Sequence, residues 1–376
     1  MNIGILGFGA MGRTHAFSIQ NLNYFYKDLP FRATLGGIYT RTPETREAAA
    51  RDFGFAKVYT SEDEMINDPE IDVIDITTPN IAHFETIKKA IAAGKHIYCE
   101  KPLCISEAEA MEAAKLAKEA GVICQTVFNT RFLSPIMRAK QLIDDGRLGR
   151  IVSFDCQYLH SSCTDLSKNA GWKQDRTVCG GGVLFDLGSH AIDLVYHLCG
   201  DFKKISGMSH IAHPVRLGMD GSEWQTNADE AFYMLCELEC GAKGTIVASK
   251  LATGTNDDFT LKIFGERGAI KFDLMDPSFL WFFDENDRGG ELGGERGFKK
   301  IECCGRYPAP GGIFPGVKAP IGWLRGHIGS MYAFLDCVHS GETPSPSFTD
   351  GAYVQRIMEA AYRSDVSGAF EDCSRV

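Results

Sequence analysis

Residues 179–200, CGGGVLFDLGSHAIDLVYHLCG, set Gly180, Gly181 and Gly182 directly before a helical pattern that carries Asp186 and His190 four positions apart. Residues at i and i+4 share one face of a helix. A histidine titrates near neutrality and can take and return a proton, and a carboxylate beside it can hold the ring and stabilise its charged form. The same spacing also occurs as an ordinary surface contact, and His197 falls on nearly the same face. What decides between the two is the chemistry that the rest of the chain brings to the pair.

That chemistry begins at the other end of the chain. Residues 2–8 are a short apolar run, and Gly7, Gly9 and Gly12 fall on G-x-G-x-x-G, with Phe8, Ala10 and Met11 between them. The glycines gain weight because they follow a strand pattern, open a helical one from residue 11 to about 22, and start a βαβ unit. Gly7 permits a tight turn, Gly9 lets the main chain approach a pyrophosphate, and Gly12 lets the helix pack on the strand. The helix N-terminus then faces the negative charge.

The alternation continues with a strand at 33–40, a helix at 43–53, a strand at 73–77 and a helix from about 81 to 93. Strands at 96–100 and 122–128 follow, with a helix at 106–120 between them. Strands alternating with helices predict a doubly wound parallel sheet whose ligand sits at the carboxyl ends of the strands. Two loops fall at such ends, TTPN with Thr78, Pro79 and Asn80, and EKP with Glu100 and Lys101. After about residue 150 the apolar period changes to two, in runs such as EAFYMLCELEC and FTLKIFG, which predicts a large, mostly antiparallel sheet. The expected division is a dinucleotide-binding domain at 1–124 and a substrate-binding and oligomerisation domain at 125–376.

The end of the second strand indicates which dinucleotide is expected. An Asp or Glu there holds the ribose 2′-hydroxyl of NAD, but this end reads IYTRT. Thr40 offers a small hydroxyl and Arg41 a guanidinium fork suited to a 2′-phosphate. The expectation is NADP(H) over NAD(H), against the alternative that Arg41 is a solvated residue before the helix.

Composition narrows the field further. The 376 residues exceed the size at which single cores usually stop growing, so two domains are the default. Lys and Arg number 39 against 49 Asp and Glu, a formal charge of −10, which argues against nucleic acid or an anionic membrane as the main partner. The expected location is the cytoplasm, since no apolar run reaches the ~18 residues of a membrane span and the first residues lack a leader pattern. Thirteen cysteines, scattered and without a C-x-x-C pair, are expected as reduced apolar fillers, with no metal.

With GFGAMG, TTPN followed by His83, CEKP at 99–102, FNTRF at 128–132 and GGGVLFDLGSHAID at 180–193, the chain resembles the Gfo/Idh/MocA family of oxidoreductases, which includes inositol and sugar dehydrogenases. These motifs span the first half in order. The resemblance implies a homo-oligomer, dimer or tetramer, formed through the C-terminal sheet. It places the lysine of E-K-P and the D-x-x-x-H pair around the nicotinamide and the reacting carbinol, here Lys101, Asp186 and His190. His190 then serves as base, Asp186 fixes its ring, and Lys101 donates to the same oxygen. It also implies cofactor contacts from Asn129, Trp172 and Lys173 and from the TTPN–His83 and EKP loops. Asn129 and Asp193 would hold substrate, although Asp193 also fits a helix surface. Gly180, Gly181 and Gly182 are expected to clear room for nicotinamide or substrate. His160, His210 and His213 fit strand edges or the surface better than a metal site.

Two segments carry no regular pattern: 283–297, expected as a solvated hairpin connection, and 307–323, a lid or a subunit contact. Helices are expected at about 324–340 and 350–367. Three functions follow, in order: an NAD(P)-dependent oxidoreductase of a sugar, inositol or polyol; a glycosidase working by oxidation, elimination and re-reduction on a bound cofactor; and a non-catalytic dinucleotide sensor.

Overall fold

The computed structural model describes residues 1–218, 220–304, 307–311 and 322–374. Two compact units divide them: 1–132, 307–311 and 324–355 form the first, and 133–218, 220–304, 322–323 and 356–374 the second.

In the first unit the apolar strand β1 (Asn2–Leu6) enters the glycine turn and α1 (Ala10–Phe25). There follow β2 (Thr34–Tyr39), α2 (Pro43–Phe53), β3 (Lys57–Val58), α3 (Glu62–Ile66), β4 (Val73–Ile76), α4 (His83–Ala92), β5 (His96–Cys99), α5 (Glu107–Ala120) and β6 (Cys124–Thr126). The strands pair in parallel in the order β3-β2-β1-β4-β5-β6, a doubly wound sheet. Helices on both faces leave β4 buried at every residue, which is why VIDI is so apolar. Leu6, Ile74, Ile76, Ile87 and Ile97 belong to the core between them. Local signals set the helix limits: Pro43 at the first position of α2, and Ser106 accepting the Glu109 N–H at 3.3 Å ahead of α5. The helix expected at 43–53 is found there. That expected at 81–93 starts as a 3-10 turn at Asn80–Ala82 before α4, and the strands are each trimmed at their ends.

The second unit opens with α6 (Ser134–Asp144), β7 (Ile151–Leu159) and α7 (Arg176–Cys179). A π-turn at Leu184–Gly188 runs into α8 (Ser189–Cys199). Then come β8 (Phe202–His210), β9 (Val215–Leu217), β10 (Glu223–Gln225), β11 (Ala231–Leu238), β12 (Lys243–Ser249), β13 (Asp258–Gly265), β14 (Gly268–Asp273), β15 (Phe279–Asp284) and β16 (Lys299–Glu302). The chain ends in α9 (Leu324–Ser340), which lies in the first unit, α10 (Phe348–Ser367) and β17 (Glu371–Asp372). The large sheet runs β16-β15-β14-β13-β7-β12-β11-β8-β17, and every neighbouring pair is antiparallel except β12 with β7. Period two is explicit in β11, where Phe232, Met234 and Cys236 are buried while Tyr233 and Leu235 are exposed. Helix α8 packs against β7 and β12.

The charged, Gly-rich segment at 283–297 lies across the β15–β16 hairpin connection, as expected. Of the segment 307–323, residues 312–321 lie outside the described residues, and the rest contain no helix or strand. Among the described residues one helical stretch, Arg176–Cys199, is long and apolar enough to cross a membrane, and 78% of its most apolar part is buried inside the protein. None of the thirteen cysteines forms a disulfide, and ten are buried. Among the described residues no group of His, Cys, Asp and Glu could hold a metal ion.

Candidate active site

The sequence-predicted cofactor residues of the first unit lie at the carboxyl ends of its strands: the glycine turn after β1, Thr40 and Arg41 after β2, 78–80 after β4, Glu100 and Lys101 after β5, and Asn129 after β6. Gly7 has φ +91°, which L side chains rarely adopt, and its N–H donates to the Tyr39 carbonyl at 2.9 Å. A Cβ on Gly12 would stand 2.7 Å from the Gly7 carbonyl oxygen, so only glycine lets α1 settle this close to the turn. A Cβ on Gly9 would meet nothing within 4 Å. Phe8 turns inward, edge-on to Phe53 and Phe55, while Ala10 is exposed at the first turn and Met11 half-buried. Thr78 Oγ1 is buried without a protein partner, while Asn80 is buried close by. An open glycine before a helix N-terminus, beside a partnerless hydroxyl, suits a pyrophosphate.

At the end of β2, the Thr40 hydroxyl donates to the Thr42 carbonyl at 2.9 Å and Arg41 is exposed. Arg46 Nη1 donates to the Thr40 carbonyl at 3.3 Å, so a second guanidinium stands at this strand end.

Two members of the expected set serve protein rather than solvent. His83 is fully buried: its Nδ1 lies 3.0 Å from the Pro102 carbonyl and its Nε2 3.0 Å from the Thr78 carbonyl, so the ring braces both loops from behind. Burial pulls its pKa down. Glu100, also buried, accepts the Lys101 N–H at 3.1 Å and faces His15 Nε2 at 3.1 Å. Lys101 precedes Pro102 through a cis peptide bond, and Asn129 opens a buried 3-10 turn at Asn129–Phe132.

In the second unit, the start of the helix carrying Asp186 and His190 is locked by Asp229. Its Oδ1 accepts the Gly182 N–H at 2.9 Å, its Oδ2 the Leu184 N–H at 3.0 Å, and its carbonyl the Val183 N–H at 2.8 Å. The Tyr362 hydroxyl donates to the same carboxylate. A Cβ on Gly182 would lie 2.1 Å from the Asp229 carbonyl oxygen, and one on Gly181 2.5 Å from Tyr362 Oη. This corrects the expectation for the glycine run: at 181 and 182 the room that glycine leaves is filled by protein.

Asp186 is held by lysines. Lys173 Nζ approaches its two oxygens at 3.1 and 2.9 Å, and Lys250 Nζ reaches Oδ2 at 2.8 Å. Burial opposes the charge of Lys250, but Asp186 outweighs it and raises the lysine's pKa. The Lys173 ammonium also lies 5.7 Å from the exposed Trp172 ring. Asp193 is 1% exposed, so the helix-surface alternative is excluded.

His190 is half-buried and meets the Tyr158 ring edge-on, centroids 5.9 Å apart. The Tyr158 hydroxyl and His160 Nε2 both reach Asp257 Oδ1 at 2.9 Å. Burial works against the Asp257 charge, yet the hydrogen bonds from His160 and Tyr158 lower its pKa. Tyr158, His160, Ser161, Lys168, Asp257 and Trp323 are among the residues lining a cavity of about 550 Å³. His160, partly exposed directly after the end of β7, also lines this cavity.

Sequence reasoning missed His15, Asp75, Asp229, Lys250, Asp257 and Tyr362. One signal was available: an aspartate inside the buried strand VIDIT needs a partner. The others depend on contacts between residues from 47 to 180 positions apart, which leave no local pattern.

Comparison with known proteins follows the same division of the chain. Residues 1–128 match a family model described as an oxidoreductase family with an NAD-binding Rossmann fold, and residues 136–271 match the GFO/IDH/MocA C-terminal domain. The chain is 28% identical to levoglucosan dehydrogenase of Pseudarthrobacter phenanthrenivorans over 100% of its own length and 99% of the relative's. It is 32% identical to an uncharacterized oxidoreductase of Schizosaccharomyces pombe, covering 92% and 93% of the two chains. A solved structure of levoglucosan dehydrogenase in complex with NADH and levoglucosan superposes with a TM-score of 0.93 at 29% identity, covering 100% of both chains.

Proposed function

The chain belongs to the GFO/IDH/MocA family of oxidoreductases, and on that footing we propose that it moves hydride between NAD(P) and a secondary alcohol or ketone of a sugar, inositol or related polyol. The observation that carries the substrate class is the cavity lined by Tyr158, whose ring meets His190. Its hydroxyl, imidazole, carboxylate and ammonium groups match a molecule that offers many hydroxyls, and Trp323 adds an apolar surface for a ring face. When bound, the nicotinamide accepts or returns the hydride. His190 takes the carbinol proton, Lys101 donates a hydrogen bond to the same oxygen, and Asp257 with His160 orients neighbouring hydroxyls. Asp186, paired with Lys173 and Lys250, fixes charge near the base, and Asn129 and Asp193 are read as substrate contacts.

The finer reading is that the cofactor carries a 2′-phosphate. Supporting it are the absence of an acidic residue at the end of β2 and the presence of Arg41 and Arg46 there. The enzyme is read as cytoplasmic, since thirteen cysteines outside any disulfide suit a reducing compartment. It is also read as a homo-oligomer through the large sheet.

A screen of polyols and keto-sugars with both cofactors, followed at the nicotinamide absorbance, tests the reaction. Net cofactor reduction by a polyol is expected. Turnover of a glycoside without net reduction would replace this reading by the oxidation–elimination cycle. Arg41→Ala should weaken NADPH by about 1.5–3 kcal/mol and leave NADH unchanged. Equal losses for both would remove the 2′-phosphate reading.

A further inference from the structure

Beneath the carboxyl ends of the parallel strands lies a buried cluster that the proposed reaction does not use. His15, on α1, is 1% exposed, Asp75 in β4 is 0% exposed and Glu100 after β5 is 6% exposed. His15 Nδ1 lies 2.9 and 3.0 Å from the two Asp75 oxygens, and its Nε2 lies 3.1 Å from Glu100 Oε1. A neutral imidazole has one N–H donor, whereas this ring has a carboxylate at each nitrogen. The arrangement therefore calls for an imidazolium between two carboxylates. Glu100 passes the constraint on, because its other oxygen accepts the main-chain N–H of Lys101 at 3.1 Å.

We propose that His15 is a positioning residue: charged between Asp75 and Glu100, it fixes the carboxylate that holds the main chain at Lys101. This rests on the reading that Lys101 acts at the reacting oxygen. The surroundings of the ring hold its proton in the cluster, while burial pushes the Asp75 carboxyl up against the pull of His15. Burial disfavours the imidazolium, but Asp75 and Glu100 outweigh it and carry the His15 pKa up to about 10. Burial likewise opposes ionised Glu100, yet its bond to His15, with added help from the Lys101 charge, holds it down at about 2. From β5, the Tyr98 ring stands edge-on at 5.1 Å, its hydroxyl donating to Ser330. From α9, His327 lies 6.1 Å away, and burial together with the His15 charge keeps it neutral, its pKa down at about 3. One proton thus stays on the cluster throughout the working range, and a neutral side chain at 15 would leave two carboxylates facing each other.

The test joins a direct titration with kinetics on the full chain. Nitrogen-15 shifts of His15 should report a doubly protonated ring at pH 8; a ring that titrates near 6.5 overturns the proposal whatever the kinetics show. His15→Gln should lower kcat about 10- to 100-fold, the scale of a small misplacement at a reacting group, while the dinucleotide Kd moves less than about threefold. Glu100→Gln keeps an oxygen for the Lys101 N–H but removes the charge, and serves if His15→Gln does not fold. It should lower kcat likewise and bring the His15 titration down towards neutrality. Loss of dinucleotide binding in step with kcat would mark a merely structural role and overturn the proposal, as would a folded variant with unchanged kcat. Lys101→Met separates the two readings. If it leaves turnover intact, the role given to Lys101 fails; if it abolishes turnover while folded His15→Gln retains it, the His15 proposal fails alone.

Discussion

At the scale of single residues, the base proposed here, His190, is the first group to test. His190→Asn keeps size and some hydrogen bonding but removes the base, so kcat for alcohol oxidation should fall about 10²–10⁴-fold. The dinucleotide Kd should hardly change, because the glycine turn that suits its phosphates lies elsewhere in the chain. The kcat/KM profile of the native enzyme should carry a limb near neutral pH that the variant lacks; full turnover with an unchanged profile would remove His190 from the role. Asp186 has a different setting from the one its spacing predicts. Two lysines approach its carboxylate, Lys250 from a buried position and Lys173 from an exposed one, so its charge is matched before any imidazolium forms. Asp186→Asn should therefore cost less than His190→Asn.

At the scale of elements, the helix that presents His190 is held at its start by a residue from elsewhere. Asp229 accepts two main-chain N–H groups with its carboxylate and one with its carbonyl, the work that a capping side chain usually does locally. The contact is so close that Gly182 has no space for a methyl group. Gly182→Ala should overpack this point at a cost of about 2–3 kcal/mol. In a unit of this size that corresponds to a drop in Tm of roughly 5–10 °C, measurable by calorimetry, and kcat should fall as the helix start shifts. A variant with native Tm would show that the helix start can relax.

At the scale of the whole molecule, the large sheet has one face under its helices and, among the described residues, one face open. On the open face Met208 pairs in register with Tyr233, and Leu235 follows two residues along; Met208 is 59% exposed and Leu235 55%. Neighbouring exposed apolar residues on a sheet of nine strands are what a subunit contact covers. The native chain should run as a dimer or tetramer in light scattering, and Tyr233→Asp with Leu235→Glu should reduce it to a monomer with its fold intact. A native chain that is monomeric at micromolar concentration would remove this reading.

Much of this protein is written in short-range patterns. The glycine turn, the alternation that makes the doubly wound sheet, the change to period two after residue 150, and the end of β2 without an acid all follow from steric and hydrophobic rules that act within a few residues. The same rules put Asp186 and His190 on one helix and Glu100 and Lys101 at the end of a strand. What those rules could not reach is which groups meet them. Asp229 and Tyr362 occupy the space at Gly181 and Gly182, Lys250 takes Asp186, Asp257 takes Tyr158 and His160, and His15 stands between Asp75 and Glu100. These are buried or half-buried polar groups that need a partner, and the partner comes from whichever distant segment packing brings within hydrogen-bond reach. That choice is made by the tertiary structure, because burial makes the pairing obligatory and only the fold determines who is near.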